Sequence, residues 1–282
     1  MQKNIIRVFP KRTKLTPDDD LVFVGMPPGL LLPPHDEVHV SCTFTWDKAA
    51  CEDLQKQWEM FTDKPVLLGG PAYNSPCIDF VPGRYVKTGV IFTSRGCNNN
   101  CPFCFVPDRE GFLRELPVFA GNIVQDNNFL QTSREHQEKV FAMLKTQSKI
   151  CFKGGLQNDL IDTRFIEAIK GLRIAELWLA CDSANAIPGF TDAAAKLVKA
   201  GYNHEKIKCY ALIGDDMDEN ENRLQTIYKA GAMPFAMLYQ PPNAKEKKKY
   251  GTEWRKFQAM WCRPAATIAH VERGTSMWDY DT

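Results

Sequence analysis

From residue 88 onward the chain alternates between two kinds of segment. Short apolar runs rich in β-branched residues give way to stretches with apolar residues at helical spacing, and the alternation repeats to residue 260. It predicts strands at 88–92, 122–125, 149–153, 176–181, 207–213 and 234–239. It predicts helices at 134–147, 163–171, 190–201, 217–231 and 251–260. Two helix starts carry capping boxes, Thr132 with Glu135 and Asp216 with Glu219. Helices between strands require parallel neighbours joined by right-handed crossovers. The expected fold is α/β, a partly open (β/α)6 barrel.

Upstream, a smaller α/β pattern precedes it. Strands are predicted at 21–25, 38–44 and 65–68, with a helix over 47–61. This is a small Rossmann-like segment. Residues 1–20, basic and then acidic, read as a surface arm. Gly69-Gly70 reads as a turn after a strand, with a phosphate cradle as the other use of such a pair. The expected organisation is an α/β segment over 1–84, the barrel over 85–245, and a C-terminal helix and tail over 246–282. In that tail Trp254, Phe257 and Trp261 share one helix face and are expected in the core. Trp278 and Tyr280 lie further on.

The formal charge is +1 over 282 residues, so bulk electrostatics indicate neither a nucleic-acid nor a membrane partner. A local basic contact to nucleic acid stays open at KEKKK, 245–249, a run that reads first as a solvated loop. No long apolar segment is present. The ten cysteines, in a chain without a visible secretory signal, point to reduced thiols and a cytoplasmic setting.

In barrels of this type the loops after the strands carry the chemistry. Each predicted strand here ends on a polar or glycine group. In order they are the cysteine loop 97–104, Asp126-Asn127-Asn128, Gly154-Gly155, Asp182-Ser183, Gly214 with Asp215 and Asp216, and Gln240. The cysteine loop is the most specific. Cys97, Cys101 and Cys104 stand as C-x3-C-x2-C. Three thiolates bind three irons of a cubane cluster and leave the fourth open, whereas an electron-carrying cluster usually takes four cysteines. A structural zinc site, the competing reading, is closed by four ligands. Cys151, Cys181, Cys209 and Cys262 are singletons and supply no second pair.

This spacing, with Phe103 before the last cysteine, resembles the radical S-adenosylmethionine (SAM) superfamily. The resemblance implies a [4Fe-4S] cluster on Cys97, Cys101 and Cys104, with SAM on the open iron. It implies that Phe103 packs near adenine, that the strand end at Gly154 and Gly155 receives the SAM ammonium, and that Asp182 and Ser183 meet the ribose or carboxylate. Asp182 and Ser183 also suit a helix N-cap. Gly214, Met237 and Tyr239 match segments that hold the adenine, and they serve equally as barrel core. The family's glutamate after the glycine pair is absent, since the sequence reads GGLQN. Asp126, Asn127 and Asn128 are candidate substrate groups, with a turn as the alternative. Arg95 is a candidate for the SAM carboxylate or a substrate anion. Arg109, weighed for the same role, reads rather as a surface charge.

The upstream VHVSCTFTWD and VLLGGPAY resemble a trimmed cobalamin-type domain. The D-x-H-x-x-G motif is missing and His35 and His39 lack its context, so cobalamin is not expected. The implied activity is reductive cleavage of SAM to a 5′-deoxyadenosyl radical that modifies an unidentified substrate. A flavodoxin or ferredoxin would supply the electron. The alternatives are methyl or methylthio transfer to a nucleic-acid base or peptide, and a non-catalytic, zinc-stabilised nucleic-acid-binding protein.

Overall fold

The computed structural model describes residues 3–29, 31–74, 79–242 and 244–276. The chain forms two compact units, residues 1–121 with 241–247 and residues 122–240 with 248–282. Both are α/β and built on parallel strands.

The first unit contains β1 (Ile5–Phe9), β2 (Val22–Val24), β3 (Glu37–Ser41), α1 (Lys48–Glu59) and β4 (Val66–Gly69). The four strands are parallel in the order β2-β1-β3-β4. The expectation of a surface arm over 1–20 is therefore corrected: β1 is an interior strand, buried along its whole length. Arg7, in the middle of IIRVF, disguises it. Its side chain is ion-paired with Asp19, so the charge is not buried alone. Helix α1 lays Cys51, Leu54 and Trp58 on the sheet at i, i+3 and i+7. Trp58 is wholly buried; its indole meets Phe23 edge-on at 5.4 Å and donates to Gly25 O at 3.2 Å. His35 and His39 are each tied locally, His35 to Pro33 O and Thr62 Oγ1, His39 to Tyr85 and Glu37.

After β5 (Val90–Ile91), the two-residue strands β6 (Ser94–Arg95) and β7 (Arg114–Glu115) pair antiparallel, with the short helix α2 (Val106–Glu110) between them.

The second unit runs β8 (Ile123–Val124), α3 (Arg134–Leu144), β9 (Ile150–Leu156), α4 (Thr163–Lys170), β10 (Ile174–Ala180), α5 (Ile187–Lys199), β11 (Ile207–Ile213), α6 (Met217–Lys229), β12 (Met233–Leu238), α7 (Thr252–Cys262) and α8 (Pro264–Arg273). The strands lie side by side in chain order and all are parallel. Along these strands Phe152, Leu177, Leu179, Cys209, Ala211 and Ala236 are buried, and Phe152 packs edge-on against Phe165 of α4. Phe257 and Trp261 of α7 join the core as expected, but Trp254, one turn earlier, is only half-buried and packs edge-on against Phe257 and Tyr250; Trp278 and Tyr280 lie outside the described residues. Residues 245–249 are exposed.

Asp216 caps α6, accepting from the Glu219 N–H at 2.9 Å. At α3 the cap is Ser133, accepting from His136 N at 3.2 Å, and not Thr132. Thr132 instead donates its hydroxyl back to Phe129 O, closing the preceding 3-10 turn. Among the described residues no helix is long and apolar enough to cross a membrane.

Candidate functional site

The cysteine loop is a closed excursion between β6 and β7. Cys97 N donates to Gly111 O at 3.2 Å and Leu116 N donates to Thr93 O at 2.8 Å, so both ends of the loop are stitched together. Gly96 makes the entry possible. Its φ is +83° and a Cβ there would lie 2.1 Å from Phe112 O. Cys101 and Cys104 bracket a turn closed by Cys104 N to Cys101 O at 3.0 Å, and α2 begins two residues later. The backbone N–H of Asn99 points at Cys97 Sγ and that of Val106 at Cys104 Sγ, each at 3.4 Å. Such bonds favour a thiolate and are among the features that set a cluster's potential.

Beneath the loop sits a charge network the sequence does not announce. Glu110, the last residue of α2, is buried. It accepts from Arg95 at 2.6 Å and from Arg114 at 2.7 Å. Arg95, a candidate for a substrate anion, thus directs its guanidinium to Glu110 and lies over the Phe92 ring at 4.7 Å. The network bolts α2 to both hairpin strands. Phe103 is half-buried within the loop.

The donor set of the loop, three soft thiols within eight residues, suits an iron–sulfur cluster. The described cysteines are all unbridged. Among the described residues no three His, Cys, Asp or Glu side chains are gathered closely enough to hold a metal ion.

The other candidates lie in the second unit, at the carboxyl ends of its strands. Gly154 is required by packing, since a Cβ there would lie 1.5 Å from Asp126 O. Gly155 differs. Its φ is +98° and nothing stands within 4 Å of the Cβ position, so its backbone is approachable. Asp126 and Asn128 are buried and Asn127 is half-buried. Asn128 Nδ2 donates to Gln157 Oε1 at 2.8 Å, and Gln131 Nε2 reaches the same oxygen at 2.9 Å. Gln157, not among the expected site residues, thereby joins the ends of β8 and β9.

Asp182 does not cap a helix. Its Oδ1 accepts from Leu212 N at 2.9 Å and ties the end of β10 to β11. Burial pushes its pKa up, against the opposing pull of that N–H and of Arg223. Arg223, another residue the pattern hides, donates to Cys181 O and Leu212 O, each at 2.7 Å. Ser183 is exposed and precedes a 3-10 turn without a side-chain cap bond. At Gly214, φ +133°, the space for a Cβ is taken by the Tyr250 ring, whose hydroxyl donates to Tyr239 O at 2.7 Å. Met237 and Tyr239 are half-buried, and Tyr239 N donates to Ile213 O. Gly155, Asp182, Gly214 and Tyr239 thus share the strand-end rim of one unit, and the cysteines belong to the other.

No protein-family model matches the chain. Two curated proteins are distantly similar. One is the ribosomal protein uS12 methylthiotransferase RimO of Delftia acidovorans (strain DSM 14801 / SPH-1), 28% identical over 99 residues. The other is the protein of the same name from Acidovorax sp. (strain JS42), 27% identical over 99 residues. Each match covers 32% of this chain and 19% of the relative. The similarity is thus to about a fifth of those proteins.

Proposed function

We propose that the chain is a radical SAM enzyme that holds a [4Fe-4S] cluster on Cys97, Cys101 and Cys104 and cleaves SAM reductively in order to modify a substrate. The observation that carries the reading is the C-x3-C-x2-C loop, closed by a hairpin, with N–H groups directed at two of its sulfurs. The distant similarity to a methylthiotransferase supports it from outside.

Bound there, the cluster would supply the electron for SAM cleavage, and a flavodoxin or ferredoxin would reload it. The protein's own part is to position and to neutralise. The N–H groups of Asn99 and Val106 stabilise negative charge on Cys97 and Cys104. Glu110, held by Arg95 and Arg114, keeps α2 fixed behind Cys104. Metal ligation would draw the three thiols together, since binding and local folding are one equilibrium.

In the second unit, five parallel strands in chain order support a partial (β/α) barrel. Gly155 offers open backbone for an ammonium, and Asp182 keeps Oδ2 for a ribose hydroxyl while Oδ1 holds Leu212. Asn127, less buried than its neighbours, is the group of that trio best placed to meet a substrate.

Methylthio transfer is the second reading, and the relatives' function favours it. Anaerobic incubation with SAM and dithionite separates the possibilities by mass spectrometry. 5′-Deoxyadenosine is the product expected. S-adenosylhomocysteine instead would move the assignment to methyl transfer. Intact SAM with stoichiometric zinc would leave the zinc-stabilised nucleic-acid-binding reading. Cys101→Ala should abolish both cluster and cleavage.

A further inference from the structure

The lysine run KEKKK, 245–249, is a charge cluster that the proposed chemistry does not use. It carries four lysines against one acid, Glu246, and all five residues are exposed. Such a run is ordinarily a solvated face with nothing fixed beside it. Here it has a fixed neighbour. Ala244, the residue before it, accepts from the Thr45 hydroxyl at 2.6 Å, across 199 positions of sequence. Thr45 is buried and opens the 3-10 turn Thr45–Asp47 that leads into α1.

Two rings flank Thr45 in the chain. Phe44 and Trp46 are stacked, with centroids 4.8 Å apart and planes within 8° of parallel. Lys11 Nζ lies 5.2 Å from the Phe44 centroid. Both rings are only half-buried, and among the described residues no further ring or cation lies against Trp46. Phe44, Trp46, Lys11, Ala244, Lys245 and Lys247 all belong to the first unit. Two acids of this stretch are already engaged. Asp47 is paired with Lys11 at 2.8 Å. Glu52 accepts from the Tyr73 hydroxyl, and Lys48 lies over the Tyr73 ring at 4.8 Å, so Lys48 and Glu52 balance each other there. Even with Asp53, exposed further along α1, and Glu246 counted, the lysines of the run are in excess.

Lysines in excess beside accessible stacked rings suit a ligand that presents anions and flat faces together. Single-stranded nucleic acid does so, with phosphates for the lysines and bases for the rings. An acidic peptide would use the lysines and leave the rings idle. A duplex hides its base faces. We propose that the 3-10 turn of the first unit and the start of the lysine run form a binding surface for single-stranded nucleic acid, in which Trp46 stacks on a base while Lys245 and Lys247 meet the phosphates beside it. The surface uses no residue of the cysteine loop and needs neither cluster, SAM nor reductant, so it stands or falls separately from the enzyme reading.

Fluorescence anisotropy of a labelled single-stranded RNA, titrated with the full chain, tests it. DNA of the same sequence, the duplex and polyglutamate are the other arms. Either single strand should bind more tightly than duplex or polyglutamate, and a preference between RNA and DNA would assign the sugar. Affinity should fall with salt, with a log–log slope of about 0.7 for each phosphate contacted. Replacing both Lys245→Gln and Lys247→Gln, at exposed positions, should leave the melting temperature unchanged and lower that slope by about 1.4. Trp46→Ala should weaken binding roughly five- to hundredfold, and Trp46→Phe, which keeps a stacking face, should restore most of the loss. A wild type that binds neither single strand at low salt overturns the proposal. So does equally tight binding of duplex or polyglutamate, or undiminished binding in either the lysine double variant or Trp46→Ala.

Discussion

Three glycines show how differently one residue type can act. Gly96 and Gly154 are demanded by contact, because a methyl group would collide with Phe112 O or Asp126 O. Gly155 is demanded only by its positive φ, with open space around it. Gly154→Ala should therefore cost well over 2 kcal/mol, by forcing β8 and β9 apart, while Gly155→Ala should cost about 1 kcal/mol of backbone strain. Denaturant unfolding of the two variants gives the comparison, and equal costs would contradict it. Glu110 makes a second case. Replacing it by Gln leaves Arg95 and Arg114 facing a neutral group in a largely buried position, which should cost about 3 kcal/mol. A loss below roughly 0.5 kcal/mol, as for a surface pair, would show the network to be incidental. The cysteine spacing and the glycine pair are legible from sequence because their chemistry is local. Glu110, Gln157 and Arg223 are not. Each is a single polar residue whose meaning lies in partners fixed only by the fold.

The strands and helices follow the same division. Those of the second unit are visible in sequence because each carries its own periodicity. β1 is not, because Arg7 interrupts the apolar run and its neutralising partner, Asp19, twelve residues on, is brought to it only by the fold. The cap of α3 slips from Thr132 to Ser133 for a related reason. Both residues favour caps, and Thr132 is already used by the preceding turn. Ser133→Ala should cost about 1 kcal/mol through the lost cap bond to His136 N, and a neutral result in thermal melting would undo the assignment.

Helices α6, α7 and α8 meet at Glu221, which accepts from Trp261 Nε1 at 2.7 Å and from His270 Nε2 at 2.6 Å. His270 Nδ1 faces Thr275 O as well, so the protonated ring can donate from both nitrogens. Burial disfavours that charge, but the bonds to Glu221 and Thr275 outweigh it and the pKa lies above its ordinary value. A raised histidine pKa stabilises fully below the unfolded value, about 6.5, and the gain is lost as pH rises through the folded value. Stability should thus decline from about pH 6.5 upward. His270→Gln should flatten this part of the profile, and an unchanged slope in that variant would assign it elsewhere.

Taken together, the cysteines occupy a hairpin loop in one compact unit, and the strand-end glycines and carboxylates occupy the rim of another. The proposed enzyme needs both, and the distant relatives share only part of the chain. The cluster is the claim on which the remainder depends. Electron paramagnetic resonance of the anaerobically reconstituted, dithionite-reduced protein tests it most directly. The account predicts a reduced-cluster signal, from protein holding about four irons per chain, that changes shape when SAM is added and is absent from Cys101→Ala. A silent spectrum from a colourless, zinc-loaded protein would contradict it.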